Sequence, residues 1–335
     1  MNDDRHSFVG ISFTYLSQVL TGFAILGYIK EAYPEVQTIA GGGVITSWMS
    51  NPHFTDRFTP YIDHLVAGPG EQPLLSLLGR ETEKSPGTPD YSDVDFNSYL
   101  SPGPILPYAA SDGCYWQKCT FCPDHAEKSC FSHINPDRVL VELSALSARY
   151  RPALIHFLDN AMSPSLMKVL AQNSVGIPWY GFSRFEKELE EYDFCDALKK
   201  AGCVMLKLGL ESGSQNVLDR MNKGINLGRA QTILENLRRA GIATYIYLLF
   251  GTPYETEKEA TLTTNFVEKY HKAITFLNLA IFNMPVCSAE ADALPNRFSD
   301  GDLSLYCDFD HPHGWDRKSI RLYLQNEFRK TPVIN

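Results

Sequence analysis

Three cysteines crowd into the segment Gly113-Cys114-Tyr115-Trp116-Gln117-Lys118-Cys119-Thr120-Phe121-Cys122-Pro123, spaced Cys-x4-Cys-x2-Cys. This spacing lets one loop wrap three thiolates around a single inorganic centre, and soft thiolates suit zinc or an iron–sulfur cluster. A four-iron cube needs four ligands, so three cysteines leave one iron open to a substrate or cofactor. Adding Cys130 or His125 as a fourth ligand would instead close a structural zinc site, and the loop alone leaves both readings open. The remaining cysteines carry less. Cys195 and Cys203 have apolar neighbours and read as core packing, while Cys287 and Cys307 show no pattern. A pair of histidines, His311 and His313, stands near Asp308 and Asp310; exposed histidines in a proline-containing turn are the simpler reading there.

The elements that must hold such a loop alternate along the chain. Candidate strands lie at 106–109, 153–158, 178–182, 204–210, 243–250 and 274–281, with amphipathic helical stretches between them. Start signals at Asn135-Pro136 and Ser163-Pro164, and acidic residues around Glu257 and Glu259, mark helix beginnings. Six such units predict an α/β fold, a partial (β/α)6 parallel barrel. The cysteine loop follows its first strand, on the face where parallel barrels carry their chemistry. Before it, strands at 8–13, 36–40 and 63–67 alternate with helices and end in glycine turns, Gly41-Gly42-Gly43 and Gly68-Pro69-Gly70. They predict an incomplete doubly wound α/β domain. The chain is thereby divided into a first domain at 1–83, a Pro-, Ser- and Asp-rich linker at 84–106, the barrel at 107–290 and an extension at 291–335.

Composition narrows the function. The 335 residues are 44% hydrophobic and 21% charged, a globular profile, with a formal net charge of −9. So acidic a chain is a poor general nucleic-acid binder, because it has no cationic surplus to displace phosphate counterions. Eight cysteines are too sparse for a disulfide-stapled fold, and their crowding points to a metal site in a reducing compartment, the cytoplasm. The uncharged stretch Ser7–Ile29 is long enough to span a bilayer, but its polar residues and its division into strand-like and helix-like halves favour a buried strand–helix unit.

The cysteine loop, its placement and the segments at later strand ends resemble the radical S-adenosylmethionine (SAM) enzymes. One residue more than the family's usual Cys-x3-Cys separates Cys114 from Cys119. The resemblance implies a [4Fe–4S] cluster on Cys114, Cys119 and Cys122. It also implies SAM at its open iron, reductive cleavage to methionine and a 5′-deoxyadenosyl radical, and an electron donor such as flavodoxin or ferredoxin. It assigns Phe121 to the neighbourhood of adenine, and Gly251 and Pro253, in Gly251-Thr252-Pro253, to the adenine-contacting turn. Glu211 and Ser212 stand where the family contacts ribose and methionine. Ser183 and Arg184 end the third strand, Arg184 facing the SAM carboxylate or forming an internal salt bridge, with Glu211 as the partner considered. In place of the family's Gly-Gly-Glu stands Asp159-Asn160, whose acceptors suit the SAM ammonium. The substrate, a small molecule or peptide modified by radical chemistry such as methyl transfer, is not named by any residue; the alternative is a non-catalytic binding protein with a closed zinc site.

The first domain resembles the second half of the cobalamin-binding domain found in one branch of this family, through Ser12, the glycines after the second strand and Gly68-Pro69-Gly70-Glu71. The Asp-x-His-x-x-Gly loop that supplies a histidine to cobalt does not occur in the sequence, and Asp4-Arg5-His6 only echoes it. Cobalamin is then expected only in a histidine-independent mode, with a plain packing domain as the favoured reading.

Overall fold

The computed structural model describes residues 7–51, 54–80, 87–297 and 303–334, and Asp4-Arg5-His6 lies outside them. The chain divides into two compact units, one of residues 1–87 with 284–309, the other of residues 88–283 with 310–335. The barrel and tail expected from sequence are therefore redistributed: the segment 284–309 belongs with the first unit, and only the end of the chain joins the barrel.

In the first unit, β1 (Phe8–Ser12), β2 (Gln37–Gly41) and β3 (His64–Leu65) form a parallel sheet in that order, with α1 (Val19–Ala32), α2 (Gly43–Ser50) and α3 (Glu71–Leu77) between and after them. The uncharged stretch Ser7–Ile29 is thus split between β1 and α1, the strand–helix unit expected from sequence. No described helix is long and apolar enough to cross a membrane. The core is aromatic: Phe13, Phe23, Trp48 and Phe58 stack with ring centroids 5.1–6.4 Å apart.

Gly42 joins β2 to α2 at φ +93°, and a Cβ there would meet the Phe13 carbonyl oxygen at 2.6 Å and its nitrogen at 2.8 Å. Only glycine fits both the conformation and the contact. Gly42→Ala is expected to destabilise this unit by about 1–3 kcal/mol, read as faster amide exchange in β1 and β2 with exchange in the second unit unchanged.

The second unit is a six-stranded parallel sheet whose spatial order is its chain order. The strands are β4 (Ile105–Tyr108), β5 (Leu154–Phe157), β6 (Trp179–Ser183), β7 (Cys203–Glu211), β8 (Ala243–Phe250) and β9 (Phe276–Ile281). Between them run α4 (Pro136–Tyr150), α5 (Pro164–Gln172), α6 (Tyr192–Lys200), α7 (Gln215–Arg220), α8 (Leu227–Ala240) and α9 (Glu257–Tyr270), and α10 (Arg317–Asn326) follows β9. Helix starts are built from the anticipated residues. Asn135 and Ser163 accept N–H groups of α4 and α5 with proline at their first positions, and Thr256 and Glu259 form a capping box on α9. Alternate residues of β4 to β8, such as Leu106, Ile155, Trp179, Leu208, Ile246 and Leu248, are buried in one core with helix residues such as Leu143, Leu166 and Ile233, and Leu277, Leu279 and Ile281 of β9 pack partly buried against it. The opposite, concave face carries the partly buried alternates. This is the partial (β/α)6 barrel expected from sequence.

Candidate active site at the strand ends

The cysteine loop leaves the end of β4 and returns through a short antiparallel pairing of Ser111–Asp112 with Ser132–His133. Gly113 turns at φ +69°, where a Cβ would meet the Cys130 carbonyl at 2.7 Å. Aromatic residues between the cysteines pin the loop to other strand ends. The Tyr115 hydroxyl donates to Glu186 at 2.6 Å, and the Trp116 indole N–H donates to the Asn222 carbonyl at 2.8 Å. The Trp116 ring also lies over Gly224, so close that a Cβ there would meet it at 2.1 Å. The Thr120 N–H donates to the Met221 carbonyl at 3.1 Å.

Cys119 is buried, and Cys114 and Cys122 are partly so. The Arg184 guanidinium stacks 4.3 Å from the Trp116 ring centroid, with Nη1 4.0 Å from the Cys119 Sγ. Burial pushes the Cys119 thiol up, opposed by the positive charges of Lys223 and Arg184, and pushes Cys122 up to about 11. Buried thiols with two cations beside them fit a metal centre, which holds its ligands as thiolates and whose negative charge those cations offset. Among the described residues no three His, Cys, Asp or Glu side chains gather as ligands of one metal ion would, unlike a closed zinc site. The thiolates of a cube bind different irons and stand farther apart.

The anticipated SAM-contacting residues fall into three groups. Phe121, Arg184 and Glu211 converge on Lys223, a residue that the sequence reading missed. Lys223 pairs with Glu211 Oε1 at 2.8 Å, lies 5.4 Å from the Phe121 ring centroid and accepts Arg184 Nη2 on its carbonyl. The ion pair considered between Arg184 and Glu211 is not formed. Arg184 instead stands 3.5 Å from Glu186, and Glu211 is taken by Lys223. The only sequence signal for Lys223 is its turn, Asn222-Lys223-Gly224, with Asn222 at φ +51° and Gly224 at φ +69°. Two polar atoms are left without a hydrogen bond among the described residues: Glu211 Oε2, and Arg184 Nε, which is buried and stands 3.5 Å from Glu186 Oε1. They are what a ligand bearing hydroxyl and carboxylate groups would engage.

The second group holds the loop. Asp159 is buried and accepts from Ser111 Oγ at 2.5 Å and from the Ala110 N–H at 3.1 Å, while Asn160 donates to Asp124 at 2.5 Å. Both therefore tie the end of β5 to the cysteine loop. Ser183 is buried with its hydroxyl donating to the Arg184 carbonyl, on the opposite face from Arg184. Ser212 is fully buried, accepts from the Ser214 N–H at 3.1 Å and meets Thr263 Oγ1 at 3.3 Å, which makes it a turn residue before α7.

The third group surrounds the turn after β8. Gly251, at φ +81°, donates its N–H to Glu255 Oε2 at 2.5 Å, and Trp315 Nε1–H donates to the same oxygen at 3.1 Å. Pro253 is buried in this turn, and His311 meets the Thr252 carbonyl at 2.8 Å, so His311 is a half-buried packing residue and not an exposed one. Cys195 and Cys203 are fully buried core residues, as expected.

Burial pushes the Glu255 carboxyl up to about 7 from its ordinary 4.5. The folded protein then holds a proton that the unfolded chain releases between these values, so stability falls as pH rises through that window. Glu255→Gln keeps an acceptor for both N–H groups and is expected to remove this decline, roughly 3 kcal/mol at most. Thermal melts at pH 5 and pH 8 check it: the wild type loses stability over that interval and E255Q does not.

Residues 108–267 match the family model described as the radical SAM superfamily. The chain is 25% identical over 300 residues to an uncharacterized methyltransferase, PH0819, of Pyrococcus horikoshii, covering 78% of this chain and 64% of that protein. It is 28% identical over 172 residues to the bacteriochlorophyllide d C-12(1)-methyltransferase of Chlorobaculum tepidum, covering 49% of this chain and 37% of the relative. The chain thus spans less than two-thirds of the length of these relatives. Among solved structures it shares its fold with the radical SAM methyltransferase TsrM of Kitasatospora setae, at TM-score 0.65 and 17% identity, covering 84% of this chain and 64% of that one. The segment from the end of β4 into α9 is thus similar to a radical SAM domain.

Proposed function

We propose that this protein is an enzyme that cleaves SAM reductively at a [4Fe–4S] cluster held by Cys114, Cys119 and Cys122 and uses the resulting radical chemistry to modify a substrate, by methyl transfer. The observation that carries the reading is the three-thiol loop seated beside Arg184 and Lys223 at the C-terminal ends of a parallel sheet. When bound, the cluster supplies one electron to the sulfonium. The protein's own residues bind and orient. Arg184, whose Nε makes no hydrogen bond within the protein, receives the SAM carboxylate, Glu211 Oε2 accepts from ribose hydroxyls, and the Gly251–Pro253 turn meets adenine. Asp159 and Asn160 fix the loop. Methyl transfer is supported by the names of PH0819, the Chlorobaculum enzyme and TsrM.

Cobalamin, as a methyl carrier, fits the first unit at the ends of its parallel strands, where open sheets of this type take ligands. Gly43, Gly68 and Gly70 there face open space. TsrM and OxsB are described with cobalamin bound. The Asp-x-His-x-x-Gly loop being absent from this sequence, its cobalt would carry no histidine from that motif. A reduced flavodoxin or ferredoxin in a reducing cytoplasm completes the proposal. Anaerobic reconstitution with iron and sulfide, reduction, and chromatography for 5′-deoxyadenosine test it; an intact cluster that yields none sinks it.

A further inference from the structure

The strand residues that line the concave face below the cysteine loop form a wall that the reading above does not use. His156 of β5, Tyr180 and Phe182 of β6, Lys207 of β7 and Tyr245 and Tyr247 of β8 are all partly buried there. The strand register makes them neighbours: His156 pairs with Tyr180, Phe182 with Lys207, and Lys207 with Tyr245. Glu211 lies four residues beyond Lys207 on the same strand, past a bulge opposite Tyr247 and Leu248, and its carboxylate lies over Gly209, where a Cβ would meet Oε1 at 2.3 Å.

The wall is aromatic and carries one unbalanced charge. The His156 and Tyr180 rings stack with centroids 4.3 Å apart and planes 7° apart, and Tyr247 contacts Phe182 and Tyr245 at 5.1 and 5.0 Å. The Lys207 ammonium sits 5.0 Å from the Tyr180 ring centroid and 4.8 Å from that of Phe182, with His156 Nε2 at 3.3 Å. Among the described residues no carboxylate pairs with it. Burial and Lys207 together hold the His156 ring to about 4, so at neutral pH it adds no charge of its own. A half-buried ammonium without a counterion is costly unless a ligand supplies the anion. Flat ring faces around it select a ligand that is itself flat.

We propose that this wall is the substrate site and that it takes a planar, conjugated ring system bearing a carboxylate, the carboxylate paired with Lys207 and the rings against Tyr180, Phe182 and Tyr247. Lys207 is a binding and positioning residue. With the anion held low in the barrel, the far edge of the rings points toward the strand ends where SAM is placed, so the inference rests on the function proposed above.

The test compares pyrene-1-carboxylate with its neutral isostere 1-pyrenemethanol, by pyrene fluorescence on the reconstituted wild-type protein under anaerobic conditions. A charge-assisted contact predicts about tenfold or tighter binding of the carboxylate. Lys207→Met and Lys207→Gln, checked for folding by circular dichroism, are expected to bring the preference below about twofold, and Lys207→Arg to keep it. Equal binding of the two probes to the wild type, or a preference that survives in K207M or K207Q, overturns the proposal. The electron paramagnetic resonance signal of the dithionite-reduced wild type is measured on the same samples. Its absence defeats the cluster reading whatever the pyrene result, and its presence beside equal pyrene binding defeats only the substrate class.

Discussion

Cys119→Ala is expected to lower bound iron and sulfide after anaerobic reconstitution to less than about a tenth of the wild-type content and to abolish 5′-deoxyadenosine formation. A cube held at three corners by protein has no spare ligand, so losing one thiolate leaves a fragment exposed to solvent and oxidation. Cys119 is the most buried of the three and stands beside Arg184 and Lys223, so no water-filled space replaces its sulfur readily. Cys130→Ala and His125→Ala are the controls. Cys130 is exposed, and its loss leaves iron content unchanged if the site is a cube. Had either residue closed a zinc site, its removal would cost the metal as heavily as Cys119→Ala. Iron, zinc and acid-labile sulfide assays on the four proteins decide between these outcomes, and circular dichroism shows that the fold survives.

The second large effect is on stability and on the site together. Lys223→Met strands the Glu211 carboxylate in a buried position where its ion-pair partner at 2.8 Å has gone. Removing one partner of a buried pair leaves an uncompensated charge and costs about 3–5 kcal/mol. The double variant Lys223→Met with Glu211→Gln removes both charges and is expected to recover at least half of that loss. Urea unfolding of the single and double variants, followed by intrinsic fluorescence, measures both. Catalysis separates from stability in the same series. The double variant is stable but replaces the charged Glu211 carboxylate with a neutral amide, a weaker acceptor for ribose hydroxyls, so it is expected to bind SAM more weakly than the wild type. Recovery of SAM affinity along with stability would show that Glu211 serves only the fold.

The alternation of strands and helices was legible in the chain because it rests on local pattern. Period-2 apolar runs such as those over Ala243–Phe250, and start signals such as Asn135-Pro136 and Ser163-Pro164, report the backbone state of the residues that carry them. The same locality made the cysteine loop readable, since Cys114, Cys119 and Cys122 lie within a single short segment. The place of the loop after β4 followed from counting strands.

The partners of the site were not legible. Arg184 pairs with Glu186 and the Lys223 carbonyl in place of Glu211, and Asp159 and Asn160 turn inward to Ser111 and Asp124. All but the Arg184–Glu186 contact join separate strands and loops, and which side chains meet there depends on register and on where each strand stops. A shift of one residue in β7 would turn Lys207 toward the helices. The aromatic wall with its unbalanced lysine is likewise a product of register, because His156, Tyr180, Lys207 and Tyr245 lie on four different strands. The sequence by itself determined the element types, their order and the place of the three-cysteine loop, all properties of short stretches of chain. Only the tertiary structure decided which charges neutralise one another, which polar residues brace the loop and that 284–309 leaves the barrel for the first unit, because those outcomes are set by packing between segments distant in the chain.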